Sequence, residues 1–186
     1  MLIQGCASNL MSKSKSTVIE PPADDLATVV FMRSSIVNAI TSVDLFEIEN
    51  GELKFIGALA NASKVAHKTT PGRKVYMAYG TAADFMIANV EKNKTYFSIV
   101  RPNYATGGFA PTPIRKQGPS SYNMETPSFV KWKKNTTLLV KKPEADKWFA
   151  DNKDRYLKIY QRYWAKFQTK TEAQKNERTL NPKDGV

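Results

Sequence analysis

The chain offers few residues from which a reactive centre could be built. It has one histidine, His67, and one cysteine, Cys6, so it can form neither an internal disulfide nor a His/Cys cluster at zinc-like spacing. A triad or metal site would have to be built around His67, whose neighbours, Val65-Ala66-His67-Lys68, offer it no partner. Carboxylates for acid–base hydrolysis could come from Asp24 with Asp25, or from Asp44 with Glu47. Adjacent acids in a tail and strand acids near a hairpin end are usually solvated. Gly107-Gly108 lacks the Lys-Ser or Lys-Thr that a phosphate-binding loop needs. These residues predict a protein that is not an enzyme and that uses no metal or other cofactor.

Positive charge is the more informative feature. The net charge is +11, and residues 131–186 hold 15 Lys and Arg against 7 Asp and Glu, where residues 1–130 hold 13 against 10. A basic face can attract nucleic acid, anionic lipid or acidic glycan by one Coulombic route, or can be an ordinary solvated surface. Much of this charge falls on a predicted helix, residues 143–170. It opens with Pro143-Glu144-Ala145-Asp146, where proline fits the first turn and the acids oppose the positive end of the dipole. At 100° per residue, Phe149, Tyr156, Tyr160, Tyr163 and Phe167 fall within about 80° of one another, flanked by Ile159 and Trp164. The opposite side carries Lys147, Arg155, Lys158 and Arg162, a candidate cationic binding strip partly offset by Asp151 and Asp154. Lys153 intrudes on the apolar side, which predicts a break near Asn152. The aromatic stripe either covers an open face of the core or lies on a membrane surface, where Trp and Tyr suit the headgroup boundary.

These features need elements to position them. At 186 residues, one sizeable core and one domain with tails are expected. Hydrophobic residues at 41% and charged residues at 24% exclude a disordered or membrane-embedded chain, and no apolar run approaches the roughly 20 residues that span a bilayer. From Ala27 onward, short runs rich in β-branched and aromatic residues alternate with turn signals. Residues 28–33 and 43–49 read as strands, and Asn50-Gly51 favours a type I′ hairpin returning along residues 52–59. Thr70-Pro71-Gly72 precedes a strand over 74–79, and residues 85–90 and 95–100 form a second predicted hairpin about Lys92-Asn93-Lys94. The expected fold class is α+β: an antiparallel β-sandwich of about six to eight strands with a C-terminal amphipathic helix. The expected plan is a flexible tether at 1–25, a β-domain at 26–142 with a long Gly/Pro-rich loop at 103–128, the helix at 143–170 and a polar tail at 171–186.

Leu2-Ile3-Gln4-Gly5-Cys6, followed by Ala7-Ser8-Asn9, resembles a bacterial lipobox, with Gln4 larger than the pattern prefers. The resemblance implies that Cys6 carries diacylglycerol after signal cleavage, so that a membrane is a partner through this anchor. Ser12-Lys13-Ser14-Lys15-Ser16 and Pro21-Pro22 then read as tether. Ala7 and Ser8, with no Asp, imply sorting to the outer membrane, facing the periplasm. The order of the middle elements resembles a family of bacterial lipoproteins with a small prealbumin-like or immunoglobulin-like β-sandwich. The matching pieces are Val29-Val30-Phe31-Met32-Arg33, Glu49-Asn50-Gly51, Pro71-Gly72-Arg73-Lys74 and Lys94-Thr95-Tyr96-Phe97, over residues 27–102. That family implies a periplasmic accessory role and carries over no catalytic residues.

The leading expectation is therefore a non-enzymatic structural or binding protein of the cell envelope, with an envelope protein, peptidoglycan or anionic lipid as partner. A basic module for anionic surfaces or nucleic acid is the alternative, since aromatics among Lys and Arg can stack bases and meet phosphates. Outside the cytoplasm, no nucleic acid is expected as partner. A carboxylate-dependent hydrolase ranks last.

Overall fold

The computed structural model describes residues 10–35 and 41–186. Among them eleven strands form two mixed sheets, accompanied by three α-helices, which is the α+β class. The strands are β1 (Met11–Lys13), β2 (Ala27–Arg33), β3 (Val43–Glu49), β4 (Glu52–Leu59), β5 (Ser63–Thr69) and β6 (Gly72–Tyr79), then β7 (Ala83–Val90), β8 (Thr95–Asn103), β9 (Gly108–Ile114), β10 (Thr137–Lys141) and β11 (Thr179–Leu180). Helix α1 (Pro127–Asn135) precedes β10, while α2 (Glu144–Gln168) and α3 (Glu172–Glu177) follow it. One sheet runs β1-β10-β5-β2-β8-β9 and the other β11-β7-β6-β3-β4. Phe31 of β2 meets Tyr76 of β6 edge-on at 5.1 Å, so the sheets share a core between their facing sides.

The antiparallel expectation holds only in part, and the six to eight strands expected are eleven. Strand β2 runs parallel to β8, β10 to β5 and β11 to β7. The turn at Lys92-Asn93-Lys94 does not close a hairpin. Asn93 N–H donates to the Leu26 carbonyl at 2.8 Å and Thr28 N–H to the Lys94 carbonyl at 3.0 Å. These bonds seat the turn on the start of β2, so the chain leaves β7 for the other sheet. The Asn50-Gly51 hairpin does form between β3 and β4, with both residues at positive φ (51° and 80°).

Parts of three segments expected to be irregular are structured. The predicted loop at 103–128 contains β9, buried throughout and paired to β8 despite Pro111 and Pro113. Strand β9 lies at its sheet's edge, where alternate residues need no backbone donor, so proline is tolerated there. The loop also runs into α1, whose cap is Thr126, accepting from Phe129 N–H at 3.2 Å. The tether expected at 1–25 is pinned by β1: Leu10 and Met11 are buried and Lys142 N–H donates to the Leu10 carbonyl at 3.0 Å. The polar tail at 171–186 folds back through α3, β11 and a 3-10 turn (Pro182–Asp184), burying Leu180 and Asp184. Its anchor is the Arg115–Asp184 ion pair at 2.9 Å.

The outer faces of the two sheets are covered differently. Helix α2 lies across the five-stranded sheet: Phe46 meets Tyr156 at 4.7 Å and Phe149 at 5.6 Å, and Phe85 meets Tyr160, Trp164 and Phe167 at 5.0–6.1 Å. The aromatic stripe therefore covers the core. The predicted break near Asn152 does not occur, because Lys153 leans out to pair with Glu52 of β4 and the helix continues beneath it. Over the six-stranded sheet a smaller cluster, Val30, Met32, Phe97, Ile99 and Ile114, is capped by Phe129 and Trp132 of α1.

Candidate functional site

Packing of the aromatic stripe determines what the other side of α2 presents. Lys147, Arg155, Lys158 and Arg162 are all exposed and lie along one side of the helix, as their spacing predicts. Lys147 pairs with Asp151 at 3.3 Å. Among the described residues no carboxylate lies within 4.0 Å of the charged groups of Arg155, Lys158 or Arg162. The Arg155 guanidinium lies over the Tyr156 ring at 5.5 Å and that of Arg162 over Tyr163 at 5.5 Å, so aromatic faces steady two of the four cations. Lys166, 5.7 Å from the Tyr163 ring, extends the row and had the right spacing to be counted with it. Beyond Asp154 the strip is single-signed, with no further acid on this helix.

Beneath the strip, the Tyr156 hydroxyl donates to Asp44 Oδ2 at 2.7 Å in a buried contact that locks α2 to β3. Burial pushes the Asp44 carboxyl up to about 6, against the smaller opposing effects of the Tyr156 bond and the Arg155 charge. The Tyr156 hydroxyl is itself raised, by burial first and then by Asp44.

The reading of His67 as partnerless is corrected. Its Nε2 donates to Glu47 Oε2 at 2.8 Å across the two sheets, with both residues buried. Burial opposes ionisation of Glu47, but its contacts with His67 and Thr69, aided by the charges of the imidazole and Lys74, outweigh it and hold the carboxyl at about 2. The pair ties β3 to β5 inside the core. Asp44 and Glu47 do not converge: one meets α2 and the other meets β5. Asp24 and Asp25 are both exposed. Among the described residues, no three His, Cys, Asp or Glu side chains are placed to hold a metal ion. No helix of the described residues is long and apolar enough to cross a membrane. Cys6, the predicted lipidation site, lies outside the described residues. Comparison with protein-family models finds no match, and comparison with curated proteins finds none either.

Proposed function

We propose that the protein is an envelope-anchored bacterial lipoprotein: a non-enzymatic accessory domain, its two sheets forming a β-sandwich, held at the outer membrane by a lipid on Cys6 and seated on anionic headgroups by the basic side of α2. The observation that carries this reading is the exposed row Lys147, Arg155, Lys158 and Arg162 on a helix whose apolar side is already consumed by the core. Such a row meets lipid phosphates by charge alone, with each cation near an anionic surface contributing about 1 kcal/mol. The tether supports the same placement. Cys6 lies five positions before Met11, a reach of at most about 18 Å for extended chain. Strand β1 pairs with β10, and α2 starts three residues after β10 ends (Lys141 to Glu144), so the helix's first turn, with Lys147, follows the same edge as β1.

The test is vesicle sedimentation of the full chain on anionic and on zwitterionic vesicles, over a range of salt. Binding to anionic vesicles alone, weakened by salt and abolished when Arg155, Lys158 and Arg162 are changed to Glu, is the expected result. Equal sedimentation of the triple variant would refute the seating role. The anchor is tested separately, by the mass of the N-terminal peptide from membrane-extracted protein expressed with its upstream signal; a free thiol at Cys6 would refute it.

A further inference from the structure

On the face opposite α2, a cleft of about 520 Å³ opens between the chain leading into β2, the C-terminal part of α1 and strands β5 and β8. Phe97, Ile19 and Pro22 line it together with Lys64, Lys133 and Thr95. Its size suits a small molecule. Nothing in the sequence pointed here, because the lining comes from segments scattered from Thr17 to Val186.

The chemistry of the two lysines is unusual for a structural wall. Lys64 is buried, at 8% exposure, and its ammonium donates to the Lys133 carbonyl at 2.7 Å, leaving two N–H groups beyond that bond. Lys133 holds its own ammonium 5.6 Å from the Phe97 ring and 5.4 Å from Phe129. Among the described residues no carboxylate lies within 4.0 Å of either ammonium. Burial first, and the Lys133 charge second, lower the Lys64 pKa. A buried cation beside a second cation costs free energy that an anion between them would recover. Thr95 adds a hydroxyl, while Phe97, Ile19 and Pro22 give apolar surface beside the charged end.

We propose that this cleft binds a phosphate monoester, its dianionic head meeting the ammonium groups of Lys64 and Lys133 and any short acyl or alkyl body lying on Phe97, Ile19 and Pro22. Two ammonium groups lining one cleft favour a dianion over a single carboxylate, and the apolar side chains beside them suit a lipid-type phosphate. Free phosphate and a phosphatidic headgroup share this chemistry. The site is independent of the α2 strip, which covers the other sheet.

The test is calorimetric titration of the full chain with inorganic phosphate and, separately, with monomeric dihexanoyl phosphatidic acid, with amide chemical shifts recorded alongside. Saturable binding with shifts at Lys64, Thr95, Phe97 and Lys133 is expected. Loss of one charge-assisted contact should weaken it at least about tenfold in Lys64→Met and in Lys133→Ala. Lys133 is exposed, so its variant decides the matter should Lys64→Met fail to fold. Equal affinity for both probes identifies a free-phosphate site, and binding of the amphiphile alone identifies a lipid-phosphate site; either supports the proposal. Changing Arg155, Lys158 and Arg162 to Glu should leave this binding intact, which separates it from the seating role. No saturable binding of either probe, or binding undiminished in Lys133→Ala, would overturn it.

Discussion

The two sheets are roofed in opposite ways. Over the five-stranded sheet lies a helix of 25 residues whose Phe149, Tyr156, Tyr160, Trp164 and Phe167 interlock with Phe46, Phe55 and Phe85. Over the six-stranded sheet lies a helix of nine residues with a cleft beside it. A face filled with aromatic rings contributes stability and leaves no room for a ligand; a face covered in part gives up some burial and keeps space lined by cations. The comparison breaks if the roofs prove equivalent. Phe85→Ala, which removes a fully buried ring touched by three side chains of α2, should cost about 3–5 kcal/mol in urea unfolding. Trp132→Ala on α1, which removes a half-buried ring stacked on Tyr122 at 6.2 Å, should cost about 1 kcal/mol. Equal costs would mean that α1 is as integral to the core as α2.

The α2 roof also carries a pH dependence. Asp44 titrates at about 6 in the fold against 3.8 when unperturbed. A carboxyl raised on folding binds its proton more tightly in the native state. Its contribution is thus fully present below pH 3.8 and lost as pH rises through about 6, a loss of about 2–3 kcal/mol at 1.4 per pKa unit. Glu47 acts with the opposite sign: held at about 2 against 4.5, it contributes above pH 4.5 and that contribution is lost as pH falls through about 2. Asp44→Asn keeps an acceptor for the Tyr156 hydroxyl without a titrating charge. Between pH 4 and 7 the wild type should lose stability relative to Asp44→Asn by about 2–3 kcal/mol. Melts whose difference stays constant over that range would show that Asp44 is not desolvated by the helix.

Local chemistry was legible in the sequence and partnership was not. The Asn50-Gly51 hairpin and α2 could be read because turn type, cap and periodicity are written within a few residues. Lys147, Arg155, Lys158 and Arg162 followed from the same periodicity. His67 could not be given Glu47, since the two meet only when β3 and β5 face each other across the core. Strand β9 was hidden by its prolines, which an edge position accommodates, and β1 by its brevity and polar neighbours. The cleft at Lys64 and Lys133 is assembled from segments far apart in the chain and leaves no contiguous trace. A test of the hidden β1 contact is Gly57→Ala. Gly57 sits at φ +155° beside a register shift in the β3–β4 pair, and a Cβ there would lie 2.8 Å from Met11 Cε. The substitution should cost about 1–2 kcal/mol, part backbone strain and part collision. The collision part should vanish in a Met11→Ala background, and a purely additive double-mutant cycle would argue that Met11 does not lie over Gly57.

The smallest expected effect is the one that keeps packing and recruitment apart. If the aromatic side of α2 holds the helix and the basic side only faces outward, changing Arg155, Lys158 and Arg162 to Glu should move stability little. Exposed substitutions away from buried contacts usually fall within about 0.5 kcal/mol each. Two of the three cations lie over tyrosine rings at 5.5 Å, and an exposed cation–π contact contributes about 0.5–1 kcal/mol, so the loss should come chiefly from Arg155 and Arg162, with Lys158 near zero. Arg155 also lowers the Asp44 pKa slightly, so its reversal should raise that pKa further and steepen the loss of stability above pH 6. Thermal melts of the three single variants at pH 5 and pH 8 resolve these contributions. A Lys158→Glu protein that unfolds as readily as Phe85→Ala would mean that the basic side of α2 is packed against something, and the division of labour between its two sides would have to be abandoned.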